Sequence, residues 1–317
     1  MLYPFKFKTQ FFEKIWGANN LKYLPGKNCA HIDKCGESWE ISGLENKSSE
    51  IENGFLAGNF LDEIVEVYME DLVGERVFSQ YGNSFPLLVK FLDTADYLSV
   101  QVHPGNNKAT LGKAEMWYVV NAEPESEIIL GFNQKVNKEA FIYHLENKSL
   151  RSILNIIKPK AGDVFYIPPG TIHAIGAGVT LLEIQQSSDI TYRVYDWDRP
   201  GLDGKQRELN IEQALNTIDF EAINLDKISF SEQLNQSVSI LQTDYFTANV
   251  LAFNKPFKTD YVKIDSFVIL CCVEGSYKIN IDGVDELIEK GRCILLPADS
   301  NEIELISDFA RIIEVFV

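Results

Sequence analysis

The sequence predicts a mainly β protein with a few short helices, built as a β-barrel or jelly roll. Many short runs rich in aromatic and β-branched residues are separated by Gly, Pro, Asn and Asp. Helical periodicity is limited to a few segments. A unit made of a Gly turn, a five-residue strand and a Pro occurs twice in the 317 residues, at residues 162–168 and 291–297. We therefore expect two β domains, at residues 1–230 and 231–317.

Seven segments of the larger domain have the strand pattern. Residues 3–12 alternate around lysines, and the others are compact runs that end at turn residues. These others are residues 86–92, 97–103, 117–121, 127–132, 163–167 and 179–185. After a polar, weakly patterned stretch at residues 224–237, about six more short runs fill the smaller domain.

Apolar residues at helical spacing predict four helices. Asn59 is placed to cap residues 60–73, and residues 136–145 and 149–157 form a predicted helical pair between strands. Asn210 is placed to cap a short helix that ends near Ile218. The apolar face of the first helix consists of Leu61, Ile64, Val65, Tyr68 and Leu72.

The two Gly-strand-Pro units belong to a faint internal repeat. Residues 162–168 match residues 291–297, and upstream of them residues 115–122 align with residues 268–275. The polar residues differ between the copies, because Glu115 and His173 of the first correspond to Val268 and Glu302 of the second. The repeat therefore predicts a metal site in the first domain and none in the second.

The net charge of −17 argues against nucleic acid and against an anionic membrane surface as partners. A small anionic substrate remains compatible, since two or three cations can dominate a pocket. The chain shows no secretory signal pattern and no run of ~20 apolar residues. Its five cysteines include the adjacent Cys271 and Cys272, so a disulfide framework is not expected and the cytoplasm is the predicted location.

Four residues form a predicted metal site. In residues 98–104 the strand period sends Gln101 and His103 to the face opposite Leu98, Val100 and Val102. Glu115 immediately precedes the next strand, and His173 follows a Pro-Pro-Gly turn. Two imidazoles, one carboxylate and one amide oxygen suit a borderline metal such as Zn²⁺ and favour Lewis-acid chemistry.

Other metal-ligating residues are interpreted as structural. A single histidine beside a turn is usually a surface or capping residue, and His144 lies in a helical pattern. Cys29, His31 and Cys35 suggest a second zinc site, but a clear fourth ligand and typical spacing are missing.

Several motifs in the same order along the chain resemble type I mannose-6-phosphate isomerase, in its short bacterial form. The resemblance covers essentially the whole chain. The motifs are IWG (15–17), GESW (36–39), PLLVKFL (86–92), LSVQVHP (98–104), GKAEMWYV (112–119), FYIPPGTIHAIG (165–176) and TYRVYDWDR (191–199).

The resemblance implies two cupin-type jelly-roll β-barrels, the second of them degenerate. It implies one Zn²⁺ per chain, held by Gln101, His103, Glu115 and His173, and interconversion of mannose 6-phosphate and fructose 6-phosphate. Arg193, Lys113 and Glu183 match the family's key arginine, lysine and acidic residue.

We expect the reaction to pass through an enediolate, with a fixed charge on Arg193 stabilising the oxyanion, because an arginine is a poor base. Lys113 shares the face of Glu115 and is expected to bind sugar oxygens or to shuttle a proton. Glu183 is either the general base or a structural partner of Arg193. Asp189 either orients Arg193 or ends a strand.

Two other functions are also compatible with the sequence. One is another metallo-cupin enzyme, such as an iron dioxygenase or an epimerase, and the other is a non-catalytic sugar-phosphate-binding protein. The expected partner is a small phosphorylated sugar, with no nucleic acid or membrane, and the chain is expected to be a monomer or homodimer. The sequence does not identify the phosphate contacts, for which Ser38 or Arg199 are only candidates.

Overall fold

The computed structural model describes residues 2–107, 111–281, 284–300 and 302–317. These residues form nineteen strands and four α-helices. The strands are β1 (Gln10–Glu13), β2 (Cys35–Ser42), β3 (Leu87–Asp93), β4 (Val100–Val102), β5 (Glu115–Ala122), β6 (Ile128–Phe132), β7 (Leu154–Ile157), β8 (Val164–Ile167), β9 (His173–Ile175), β10 (Val179–Gln186), β11 (Tyr192–Tyr195), β12 (Gln236–Gln242), β13 (Thr247–Phe253), β14 (Phe257–Thr259), β15 (Val268–Ile281), β16 (Val284–Glu289), β17 (Cys293–Leu296), β18 (Ile303–Ile306) and β19 (Ala310–Phe316). The helices are α1 (Leu61–Val73), α2 (Glu75–Tyr81), α3 (Lys138–Glu146) and α4 (Ile211–Thr217).

The strands belong to three sheets, which confirms a mainly β fold with few helices. The first sheet has the order β1-β2-β3-β10-β5-β8, and the second has the order β11-β4-β9-β6-β7. The third contains β12-β13-β19-β15-β18-β14, with β16 and β17 also paired to the long strand β15.

The first two sheets face each other across a shared apolar core. Trp117, Phe165 and Leu181 of the first sheet pack with Leu130 and Ile175 of the second. Side chains alternate along each strand, so each sheet has a second face. Other elements cover that second face as well. Helices α3 and α4 pack on the second sheet, while α1 and the third sheet pack on the first.

The third sheet curls around a core of its own, formed by residues such as Phe253, Tyr277 and Leu305. The N-terminal segment adds to it, since Phe5 and Leu295 exchange backbone hydrogen bonds of 2.8 and 3.0 Å. One apolar cluster also contains Phe7 and Ile269, so residues from both predicted domains share a core. The boundary at residues 230 and 231 stays a prediction.

The internal repeat extends to backbone pairing. Glu115 is paired with Ile167 between β5 and β8, and Val268 is paired with Leu296 between β15 and β17. Each unit begins at a glycine with a φ near +90°, namely Gly162 and Gly291. In each copy this glycine donates a 2.8 Å hydrogen bond to the strand before it, at Val119 or Cys272. Identical register over both copies supports a common architecture.

Two positive-φ glycines, Gly162 and Gly275, allow a prediction of stability. Gly162 has open space where a Cβ would stand, whereas a Cβ on Gly275 would overlap the carbonyl oxygen of Phe309. We expect Gly162→Ala to lower the free energy of unfolding by about 1 to 2 kcal/mol through backbone strain alone. Gly275→Ala adds the overlap and should cost about 3 kcal/mol or more. Urea unfolding of both variants measures the difference, and equal losses would contradict it.

Helix α1 forms as predicted, but its cap differs. Phe60 is the N-cap residue, and Glu63 Oε2 accepts a 2.8 Å bond from its backbone N–H. Asn59 instead donates to the carbonyl of Leu56, so its predicted capping role is wrong. Helix α3 begins after Asn137, whose side chain accepts from the backbone of Ala140 at 2.8 Å.

The predicted helix at residues 149–157 is wrong. This segment is a 3-10 turn at Leu150–Ser152 followed by strand β7, which pairs with β6. Its run of apolar β-branched residues fits a strand as well as a helix. Backbone pairing with the edge of β6 favours the strand. None of the described helices is long and apolar enough to cross a lipid bilayer.

Candidate metal centre and catalytic cavity

Three predicted ligands meet between the first two sheets. Glu115 is the first residue of β5, His173 is the first residue of β9, and His103 directly follows β4. His103 Nε2 lies 3.3 Å from Glu115 Oε1, and His173 Nε2 lies 3.8 Å from Glu115 Oε2. All three side chains are about 1 % exposed. Among the described residues they are the one group of histidine, cysteine or acidic side chains close enough to share a metal ion.

Each histidine is oriented by a backbone carbonyl. His103 Nδ1 lies 2.8 Å from the oxygen of Ile190, and His173 Nδ1 lies 2.8 Å from the oxygen of Thr171. A carbonyl only accepts, so both Nδ1 atoms carry the proton and both Nε2 lone pairs face the cluster. Burial, with Lys113 adding to it, lowers the pKa of His103 to about 3, which keeps this ring neutral as a metal ligand requires.

The cluster fits a divalent metal. Glu115 Oε2 is buried and has no hydrogen-bond partner, although two imidazole lone pairs point to the same place. A buried acceptor without a partner is costly, and a cation coordinated by these three groups would satisfy it. Burial would raise the pKa of Glu115, but the Lys113 ammonium outweighs it and holds this pKa well below its usual range, so the carboxylate is ionised.

Gln101 lies beside this group. It is the strand partner of His173 between β4 and β9, and its Nε2 is 3.3 Å from His173 Nε2. Its Oε1 accepts a 3.3 Å bond from Ser99. Rotation of the amide by half a turn would bring the oxygen to the cluster, so the ligand role of Gln101 stays a prediction.

Lys113 points into the same space. Its Nζ contacts Glu115 Oε1 and lies 3.2 Å from His103 Nε2 and 4.0 Å from Glu183 Oε1. The structure thus places the predicted lysine between the cluster and the predicted base.

Glu183 is held by one lysine and one indole. Its Oε1 is 2.9 Å from Lys90 Nζ, and its Oε2 accepts a 3.1 Å bond from Trp117 Nε1. Burial, with repulsion from Glu115, raises the pKa of Glu183 despite the lysines beside it. Its ion pairs are with Lys90 and Lys113, so the reading of Glu183 as a structural partner of Arg193 is wrong.

Arg193 lies in β11 directly opposite Gln101 of β4. Its backbone N–H donates to Asn210 Oδ1 at 3.2 Å, and its Nη1 donates to the carbonyl of Glu208 at 3.3 Å. Asn210 is the N-cap residue of α4, as predicted, but its side chain bonds the strand of Arg193 instead of the helix. The buried Nε of Arg193 has no hydrogen-bond partner, which leaves a donor available at the cavity.

These residues line a cavity of about 310 Å³, a size suited to a small ligand. Its wall includes Gln101, Lys113, Glu183 and Arg193, together with residues that the sequence analysis did not select. The most notable of these are Lys14, Glu37, Trp39, Lys47, Lys90 and Arg207. The lysine in the centre of PLLVKFL was the available signal for Lys90, since a charge in an apolar strand requires a buried partner.

The candidate phosphate contacts do not line the cavity. Ser38 is fully buried, and its neighbours Glu37 and Trp39 are the residues of β2 that line it. Arg199 forms ion pairs with Asp96 at 2.7 Å and Asp196 at 3.0 Å, outside this cavity. Strand alternation turns Ser38 away from the cavity, and its ion pairs hold Arg199 outside the cavity lining.

The remaining predicted residues have structural surroundings. Asp189 lies beyond the end of β10, where its exposed carboxylate is 3.6 Å from Lys47 rather than on Arg193. His144 bonds Ser149 Oγ at 2.8 Å. Of the Cys29–His31–Cys35 set the cysteines are buried, the histidine is exposed and all five cysteines of the chain are free. The second repeat copy has a buried Val268, and its Glu302 is exposed and pairs with Lys258 at 3.6 Å.

Known proteins that are similar to this chain in sequence or fold are described as mannose-6-phosphate isomerases. Residues 4–137 match the family model "Phosphomannose isomerase type I, catalytic domain", and residues 236–317 match "Mannose-6-phosphate isomerase, cupin domain". The chain is 34% identical over 313 residues to the probable mannose-6-phosphate isomerase GmuF of Bacillus subtilis, covering 95% of this chain and 96% of that one. It is 35% identical over 307 residues to the mannose-6-phosphate isomerase of Streptococcus mutans, covering 94% and 93%. The crystal structure of a mannose 6-phosphate isomerase from Bacillus subtilis superposes with a TM-score of 0.88 at 31% identity, covering 99% of both chains.

Proposed function

Because the chain belongs to the type I phosphomannose isomerase family, we propose that it interconverts D-mannose 6-phosphate and D-fructose 6-phosphate by proton transfer through an enediolate. The enzyme class, an aldose–ketose isomerase, follows from the family. The site is proposed to be the cavity lined by Gln101 and Lys113, which contact the cluster of His103, Glu115 and His173. The observation that carries this proposal is the buried cluster of two neutral imidazoles and one carboxylate, with Lys113, Glu183 and Arg193 around it.

One Zn²⁺ per chain is proposed at this cluster, with Gln101 as the fourth ligand. Nitrogen and carboxylate donors of this kind suit zinc. When bound, the metal would supply Lewis-acid polarisation of the substrate oxygens at C1 and C2.

The protein groups then divide the remaining tasks. Isomerisation moves a proton between C1 and C2, so it needs a base on one face of the sugar and positive charge beside the developing oxyanion. Glu183 is the proposed base, since its raised pKa brings its proton affinity closer to what the transfer requires. Its Oε2 is hydrogen-bonded to Trp117, and its Oε1 forms an ion pair with Lys90 but has no hydrogen-bond partner.

Lys113 and Arg193 are proposed to bind the substrate oxygens. Lys113 lies 4.0 Å from Glu183 Oε1 and also reaches His103 of the cluster. It can therefore donate to a substrate oxygen that lies between Glu183 and the cluster. Arg193 contributes a permanent charge and an unpartnered Nε donor.

Replacement of the arginine gives a test of this division. We expect Arg193→Ala to lower kcat about a hundredfold, as loss of one oxyanion-stabilising donor does elsewhere. Metal content, measured by elemental analysis, should stay unchanged, because Arg193 is not a proposed ligand. A rise in KM at constant kcat would instead assign Arg193 to ground-state binding.

The function itself is tested by a coupled assay that follows fructose 6-phosphate formed from mannose 6-phosphate. Turnover that is lost in His173→Ala supports the proposal. No turnover by the unaltered enzyme loaded with zinc would refute it and favour a sugar-phosphate-binding protein. Substrate-linked oxygen uptake would favour the rival iron oxygenase.

The finer architecture is proposed to be two cupin-type jelly-roll barrels, the first at residues 1–230 with the metal site. The matching register of β5 with β8 and of β15 with β17 supports it. The sheet orders also correspond, since β2-β3-β10-β5-β8 parallels β12-β13-β19-β15 with β17 on β15. A cytoplasmic location and a monomeric or homodimeric state stay predictions.

A further inference from the structure

The cavity contains more cations than proton transfer uses. Six cationic and three acidic side chains line it, in a chain whose net charge is −17. The cations are Lys14, Lys47, Lys90, Lys113, Arg193 and Arg207, and the acids are Glu37, Glu183 and Asp189. A local excess of positive charge of this kind attracts an anion even to an acidic protein.

Four of the six cations are matched by close carboxylates. Lys14 lies 3.3 Å from Glu37, Lys90 lies 2.9 Å from Glu183, and Lys113 contacts Glu115. The Nε of Arg207 donates to Asp196 at 2.6 Å. Arg193 and Lys47 are the two cavity cations without a carboxylate at hydrogen-bond distance, since the pair of Lys47 with Asp189 measures 3.6 Å.

Arg193 and Lys47 have different surroundings in the cavity. Arg193 is the strand neighbour of Gln101, beside the metal cluster. Lys47 is half exposed at the mouth, in the turn that follows β2. Successive contacts lead inward from it: the Trp39 ring at 5.0 Å, then Lys90 at 6.0 Å from that ring, then Glu183 and Lys113.

We propose that Lys47 binds the phosphate group of the substrate and gives the enzyme its preference for a phosphorylated sugar. This inference rests on the proposed function, in which C1 and C2 react at the cluster end. The phosphate on C6 is then at the opposite end of the sugar, toward the mouth. There the ammonium lies over the indole of Trp39, whose ring face stabilises it in position while it remains open to solvent.

Asp189 does not prevent this role. Its side chain is 65% exposed, so its attraction for Lys47 is weak and screened by water. A phosphate carries nearly two negative charges and three acceptor oxygens, and it therefore competes effectively with one exposed carboxylate.

The test compares Lys47→Met with Lys22→Met. Lys22 is a matched control, because it is an exposed lysine over an aromatic ring, 5.1 Å from Tyr23, and does not line the cavity. Both variants lose one positive charge. We expect Lys47→Met to lower kcat/KM for mannose 6-phosphate about ten- to a hundredfold, mainly through KM, as loss of one charged hydrogen bond does. The inhibition constant of inorganic phosphate should rise by a similar factor, and Lys22→Met should stay within about twofold of the unaltered enzyme in both.

Two further measurements decide the interpretation. Lys47→Arg keeps the charge and should restore most of the KM and most of the phosphate inhibition. Turnover of unphosphorylated mannose at high concentration should be the same for Lys47→Met and the unaltered enzyme. Equal kinetics of Lys47→Met and Lys22→Met would overturn the inference while leaving the isomerase intact. Absence of turnover in the unaltered enzyme would instead refute the proposed function.

Discussion

Removal of the metal with a chelator is expected to lower the rate of mannose 6-phosphate isomerisation by more than about a thousandfold, because Lewis-acid stabilisation of the substrate oxygens is lost. Zinc added back should restore the rate. Magnesium should restore it poorly, since it prefers oxygen ligands in octahedral geometry over two imidazoles. The measurement is the coupled assay on samples of known zinc content.

A second readout separates metal binding from catalysis. The proposed ligands come from both facing sheets, Glu115 from the first and His173 from the second. A metal that binds only the folded state therefore links the sheets and raises the melting temperature. His103→Ala should lose both this increase and the activity. Full activity in a sample verified to be zinc-free, without another metal, would contradict the metal site.

Strand periodicity was sufficient to predict which face of residues 98–103 points toward the proposed metal site. Gln101 alternates with buried Val100 and Val102, and the structure places it opposite His173 as the strand partner. Periodicity did not predict that β4 and β5 belong to different sheets. The distance from His103 to Glu115 depends on how those sheets pack, which is set by contacts far apart in sequence.

The residues that were missed or misplaced depend on such distant partners. Lys90 lies in an apolar run, and its charge is explained only by Glu183 of a strand that follows about ninety residues later. Asn210 has the sequence of a helix cap, yet its side chain bonds Arg193. In both cases the partner lies on another strand, so the local sequence does not identify it.

Glu183→Gln is expected to lower kcat about a thousandfold, as loss of a positioned general base does. The amide keeps the shape of the side chain and can still accept from Trp117, but it cannot take up a proton. Exchange of the C–H proton of the substrate in deuterated water should be lost along with isomerisation. Exchange retained at the normal rate would exclude Glu183 as the base.

Glu37 provides a matched control within the same cavity. It too is a buried carboxylate, it accepts from the Trp39 indole at 2.8 Å, and a lysine lies 3.3 Å away. Glu37 and Glu183 differ in the charges around them, and therefore in their pKa. Burial would raise the pKa of Glu37, but Lys90 and Lys14 outweigh it and lower the pKa to about 2, whereas burial and Glu115 raise that of Glu183. A carboxylate with a pKa near 2 is a weak base, so Glu37→Gln should retain proton exchange from C1 and C2 even where its KM changes. If exchange were lost in Glu37→Gln and kept in Glu183→Gln, the two assignments would have to be reversed.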